Sequence, residues 1–124
     1  MKFLALIFVV YTAAKETLVN IEGVPTLKKW NKILEEHDVV VAGYSYCFFA
    51  KKSIAKLNDV KLDYAWLQMD KQKASSGKMY NFMKDNYGHG KINVFMNGEA
   101  AFTTELALNK VENDEIIAKY ISGN

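Results

Sequence analysis

A chain of 124 residues suffices for one domain with one buried core and is too short for two. Half of its residues are hydrophobic and 13% are aromatic, which places it among folded proteins and not disordered ones. Its 16 basic residues are all lysines, set among 14 acids for a formal charge of +2. With no arginine fork and no basic stripe, the chain argues against a nucleic-acid partner.

In chain order, Met1 and Lys2 give a short basic start. Phe3 to Tyr11, "FLALIFVVY", is an unbroken apolar run, followed by the small residues Thr12, Ala13 and Ala14. This three-part pattern predicts a signal peptide over residues 1–14 and a domain over 15–124, in the endoplasmic reticulum lumen or secreted. A buried first strand or an interfacial helix is the competing reading. A spanning helix needs about 20 apolar residues, so no transmembrane anchor is expected. The domain carries no Asn-x-Ser/Thr acceptor, and its end, "YISGN", is not a retention signal.

The alternation of Thr17 to Ile21 predicts a short strand. A helix follows, with Pro25 suited to its first turn and Leu27, Trp30, Ile33 and Leu34 on one face. Asp38 to Tyr44, "DVVVAGY", is the near-continuous apolar run of a strand buried on both faces. From Cys47 to about Leu57 the pattern is helical, with Phe49, Ile54 and Leu57 inward. Val60 to Asp70 alternates as a strand. Ser75 or Ser76 caps a helix reaching about Tyr87, with Met79, Phe82 and Met83 inward. Two strands then meet at Asn97-Gly98, a strong hairpin signal. A last helix has Ile116, Ile117 and Tyr120 as its apolar side. Asp59, Asp63 and Asp70 read as a solvated face, and His37 as a residue ending a helix. No Cys/His spacing suggests a metal, no phosphate loop appears, and no cofactor is expected.

Cys47 is the only cysteine. It cannot form an internal disulfide, so it is buried, paired with another molecule, or a reactive thiol. A helix start stabilises a thiolate through its unpaired N–H groups, and Lys51 and Lys52 lie in the same turn. The flanking Tyr46, Phe48 and Phe49 oppose reactivity if they bury the sulfur. If they face solvent, they form an apolar patch suited to an unfolded peptide or a protein partner.

The order is strand, helix, strand, helix, strand, helix, strand, strand, helix. A long buried strand feeding a helix implies a right-handed parallel crossover, closed by an antiparallel hairpin. This arrangement resembles the thioredoxin-like α/β fold, a mixed central sheet flanked by helices. Residues 15–124 are similar to a thioredoxin or protein-disulfide-isomerase domain. In that family V-x-F-Y-A-x leads into W-C-G-x-C-K, and "VVVAGYSYCFFAKK" follows the same positions. Tyr46 stands for the tryptophan, Cys47 for the first cysteine, Ala50 for the second and Lys51 for the lysine. "VFMNGE" (Val94 to Glu99) resembles the family's F-x-N-G-E hairpin.

The resemblance implies a degenerate Cys-Phe-Phe-Ala site. Val41 replaces the family's buried acid, and Gly90 or Ile92 stands where its cis-proline lies. The family's chemistry runs through a mixed disulfide that a second cysteine resolves, and Ala50 supplies no sulfur. Cys47 is therefore the candidate nucleophile and dithiol oxidoreductase activity is not expected. Tyr46, Phe48, Phe49 and Lys51 are the candidate binding residues, with His89, Gly90, Lys91 and Ile92 from the loop that faces the cysteine in this fold. Three functions remain: a secretory monothiol protein trapping client or partner thiols, a redox-inactive module that binds proteins or partner subunits, and a glutaredoxin-like monothiol protein using glutathione or a glutathione-ligated iron–sulfur cluster. "KINVFMNG" resembles the glutaredoxin strand and hairpin, yet that family's T-V-P and Gly-Gly-Asp glutathione contacts have no match, which ranks this function last.

Overall fold

The computed structural model describes residues 14–72, 76–88, 92–103, 115–119 and 122. Of the predicted signal peptide it describes only Ala14. Ser75, His89, Gly90, Lys91 and Tyr120 also lie outside the described residues.

Five strands form one mixed sheet: β1 (Glu16–Val19), β2 (Val39–Gly43), β3 (Tyr64–Gln68), β4 (Ile92–Met96) and β5 (Glu99–Thr103). Their order across the sheet is β1-β3-β2-β4-β5. β1, β3 and β2 run parallel, β4 is antiparallel to β2, and β5 is antiparallel to β4. Among the described residues, helices α1 (Leu27–Glu36), α2 (Phe48–Asp59) and α3 (Ser76–Tyr87) connect them. Residues 115–119 are helical as well. This is the thioredoxin-like α/β fold expected from the order of elements.

Strand periodicity splits the core into two layers. Val40, Ala42, Ala65, Leu67 and Phe95 point to one face, where Trp30 and Ile33 of α1 and Met79 and Met83 of α3 cover them. Val39, Val41, Tyr64, Trp66, Val94 and Met96 point to the other, covered by Ala50 and Leu57 of α2 and by Ile117. All five residues of β2 are buried, as its unbroken apolar run requires of a strand covered on both sides.

The boundaries differ from the sequence pattern where side chains or turns intervene. Thr26, not Pro25, sets the start of α1: its Oγ1 accepts the Lys29 N–H at 3.3 Å, and Pro25 lies ahead of the cap. A hydroxyl satisfies an orphan N–H at a helix start, which proline cannot do. Leu27 begins the helix and stays 52% exposed instead of joining Trp30 in the core. β1 ends at Val19, because the Ile21 N–H leaves the ladder for the side-chain oxygen of Gln72, at 2.7 Å.

β3 begins four residues later than the alternation from Val60 suggests. The Leu62 N–H donates to Leu57 O and the Lys61 N–H to Asn58 O, with Lys61 at φ +58°. These two bonds and the left-handed residue close α2 as a Schellman motif. Val60 and Leu62 still pack on the core, so a helix ending imitates strand alternation. The hairpin is as expected: Met96 pairs with Glu99, and Asn97 and Gly98 take φ of +52° and +81°. Positive φ at both central residues is the type I′ requirement that Asn-Gly meets at low cost.

Tyr64 gives the fold a measurable alkaline limit. Its side chain is buried, and its hydroxyl donates to Glu16 Oε1 at 3.0 Å. Burial, then the Glu16 hydrogen bond and charge, pushes its ionisation up from 10.0 to about 12. A raised tyrosine keeps its proton in the native state after the unfolded chain has lost it. Its contribution is therefore fully present below about pH 10 and disappears between there and about 12. Denaturant unfolding followed from pH 9 to 12 (roughly the span set by that linkage) should show a loss of stability that is smaller in Tyr64→Phe. Identical pH profiles for the two proteins would refute it.

Candidate active site around Cys47

β2 ends at Gly43, and Tyr44, Ser45 and Tyr46 lead from it to Cys47. Cys47 is the N-cap of α2, extended at φ −76° and ψ 124°. Its N–H donates to Tyr44 O at 3.0 Å, and its C=O accepts the Lys51 N–H at 3.1 Å. Its sulfur makes no capping hydrogen bond. The thiol is free and half-buried, set at the margin of the core layer that contains Val41 and Ala50.

Those two neighbours determine what the site lacks. Ala50, three residues after Cys47, is wholly buried. Val41, six residues before Cys47, is also wholly buried. The layer beside the sulfur is therefore apolar, with neither a resolving thiol nor a carboxylate in those places.

The aromatic flanks divide between solvent and protein. Tyr46 is 71% exposed and Phe48 65% exposed, whereas Phe49 is half-buried. The Phe48 and Phe49 rings meet edge to face at 5.7 Å, and the Lys52 ammonium lies 5.8 Å from the Phe48 centroid. Tyr46 stacks on Tyr44 at 5.6 Å. Lys51 is exposed in the first turn. Burial raises the ionisation of the Tyr44 hydroxyl, and Tyr46, Tyr80 and Asp70 add to that shift. Ile92 opens β4 opposite Thr103. His89, Gly90 and Lys91 fall outside the described residues; the described part of the candidate site includes Tyr44 to Phe49 with Lys51 and Lys52.

Asp70 belongs to this site and not to a solvated acidic face. Its Oδ1 accepts the Ser45 N–H at 2.7 Å, and its Oδ2 accepts the Ser45 hydroxyl at 2.6 Å. Burial by itself would raise this carboxyl. The Ser45 hydroxyl and N–H, the residue's own N–H and the Lys71 charge outweigh burial and hold it below its ordinary value. The signal in the sequence is indirect. Gly43 pairs with Gln68 in the parallel β2–β3 register, so Ser45 and Asp70 each lie two residues beyond a matched pair. That register is a property of the assembled sheet, and neither strand states it alone.

Sheet order and flanking helices define a protein of the thioredoxin-like fold, with its single cysteine at the start of α2. Neither a family model nor a curated protein matches the chain. Solved structures do. The holo form of glutaredoxin C1 from Populus tremula x tremuloides has a TM-score of 0.66 at 19% identity, over 79% of this chain and 97% of its own. Wheat glutaredoxin has a TM-score of 0.66 at 18% identity, over 79% and 95%. A buckwheat glutaredoxin–glutathione complex has a TM-score of 0.65 at 13% identity, over 80% and 96%. The likeness is one of fold. These neighbours are glutaredoxins, whereas the narrower resemblance to a disulfide-isomerase domain rests on the motif around Cys47. Among the described residues no helix is long and apolar enough to cross a membrane, and no group of His, Cys, Asp and Glu could hold a metal ion.

Proposed function

We propose that this protein is a monothiol of the thioredoxin-like fold that forms mixed disulfides through Cys47, with glutathione as its co-thiol. The observation that carries the reading is the sulfur itself: half-buried, free of any capping bond, at the first turn of α2, with buried Ala50 in place of a resolving cysteine. The Cys47 thiolate attacks one sulfur of a glutathione disulfide or of a client mixed disulfide. The old S–S bond breaks, a Cys47–sulfur bond forms, and the other sulfur leaves as a thiolate. A glutathione thiolate then attacks the mixed disulfide and regenerates Cys47. An external thiol thus does what the missing second cysteine would have done. This consideration, with a fold shared by a glutaredoxin solved with glutathione, moves the glutaredoxin-like function from last place to first.

Intact mass measurement after incubation with glutathione disulfide tests this. The expected result is one glutathione per chain, released by reduced glutathione. Unmodified protein after prolonged incubation, with Cys47 still alkylatable once the chain is unfolded, would overturn it. A second reading, a redox-inactive binding module, draws on the exposure of Tyr46 and Phe48. It gains ground if partner association is unchanged in a chain whose thiol is blocked.

A further inference from the structure

We propose that Asp70 is the positioning residue of this site: its carboxylate holds Ser45 at two points and so fixes the loop that presents Cys47. The inference rests on the monothiol reading and adds to it a residue that need not touch the sulfur.

Only Tyr44, Ser45 and Tyr46 separate β2 from Cys47. Ser45 is the middle residue, and both its donors go to one carboxylate, at 2.7 and 2.6 Å. Hydrogen bonds to an ionised carboxylate are shorter and about twice as strong as neutral ones. The carboxylate sits on the short 3-10 turn Met69–Lys71, directly after β3. Met69 of that turn is 2% exposed and packs in the core layer with Leu67 and Met79. The anchor is thus attached to the rigid sheet, while the residue it holds is in a loop. Downstream, the Cys47 N–H is tied back to Tyr44 O at 3.0 Å. With both sides of Ser45 constrained, the backbone direction at Cys47 is set before any substrate arrives. Besides Ser45, the ionisable groups acting on or near this carboxylate are Lys71 on its own turn and Tyr44 of the loop. Attack on a disulfide depends on approach along the S–S axis, and a misplacement of about 1 Å can cost on the order of 10²-fold in rate. A small alkylating agent places far weaker demands on direction.

The test measures two reactions of Cys47, with glutathione disulfide and with iodoacetamide. Each is followed across pH to its plateau, where the thiol is fully ionised and differences in ionisation drop out. Asp70→Ala is expected to lower the glutathione disulfide plateau roughly 10-fold and to leave the iodoacetamide plateau unchanged. Asp70→Asn should recover most of the rate, since its oxygen still accepts the Ser45 N–H and its amide can donate to the hydroxyl. Ser45→Ala, which loses only the hydroxyl bond, should fall between, and the double variant should be no slower than Asp70→Ala. Should Asp70→Ala fail to fold, Ser45→Ala carries the comparison alone. Plateaus that are both unchanged, or both lowered equally, overturn the proposal. So does a double variant in which the two losses multiply. If wild-type protein takes up no glutathione, the functional reading fails by itself. The clamp is then read from hydrogen exchange of the Ser45 and Cys47 amides: protection lost in Asp70→Ala supports it, and equal protection in both proteins overturns it.

Discussion

Cys47→Ser is expected to abolish every disulfide-linked form of this protein and to leave its fold as stable as before, or slightly more so. The first effect follows from Cys47 being the only cysteine in the chain. The second follows from its place. Cys47 is the N-cap of α2, yet its sulfur makes no capping bond. Serine is among the preferred N-cap residues, and its hydroxyl can accept an orphan N–H of the first turn, worth roughly 0.5–2 kcal/mol relative to alanine. Removing a half-buried sulfur sacrifices some contact with the layer around Ala50, which offsets part of that gain. Non-reducing electrophoresis after exposure to glutathione disulfide and a reduced client, with denaturant unfolding beside it, measures both effects. Wild-type protein as free of mixed disulfides as the variant would leave Cys47 without a redox role and favour the binding-module reading. A loss of more than about 2 kcal/mol in Cys47→Ser would show that the sulfur is core and not a site, since substitutions of that size belong to core cavities.

Trp30→Ala should be among the most damaging single substitutions, at about 3–5 kcal/mol. Native domains have roughly 5–15 kcal/mol in total, so this variant is expected to be close to unfolding. Trp30 is wholly buried between α1 and the sheet. Its ring meets Phe95 of β4 edge-on at 5.0 Å, and its indole N–H donates to the Tyr87 hydroxyl at 2.6 Å. Tyr87, at the end of α3, packs in turn on Phe95 at 5.1 Å. One residue thus joins both helices of that face to a central strand. Tyr87→Phe separates the two contributions. It keeps the ring contact but strands the indole N–H, which should cost about 1–3 kcal/mol. Midpoints and slopes of urea unfolding for the three proteins provide the check. A cost below about 1 kcal/mol for Trp30→Ala would show that this core layer does not depend on the triad.

The kind of fold and the single sulfur around Cys47 are legible in the amino-acid sequence. The unbroken run Val39 to Gly43 can be satisfied only by a strand covered on both faces, and Asn97-Gly98 suits the positive φ values of a tight hairpin. One cysteine, with alanine three residues on, leaves no resolving sulfur in any fold. These are local facts, carried by a side chain's own shape or by a short periodicity. Other features depend on neighbours distant in the chain and emerge only when the sheet and helices pack together. Phe48 and Phe49 are chemically the same, yet rotation about α2 leaves the first 65% exposed and the second half-buried. Leu27 fits the apolar stripe of α1 but remains outside the core. Val60 to Leu62 alternates like a strand because a Schellman ending also spaces its apolar residues two apart. Asp70 reads in the sequence as one more surface acid, whereas the parallel register of β2 and β3 brings it to Ser45, 25 residues away in sequence. Register is set by the whole buried face of a sheet, so the partner that holds the cysteine loop exists only once that sheet has formed.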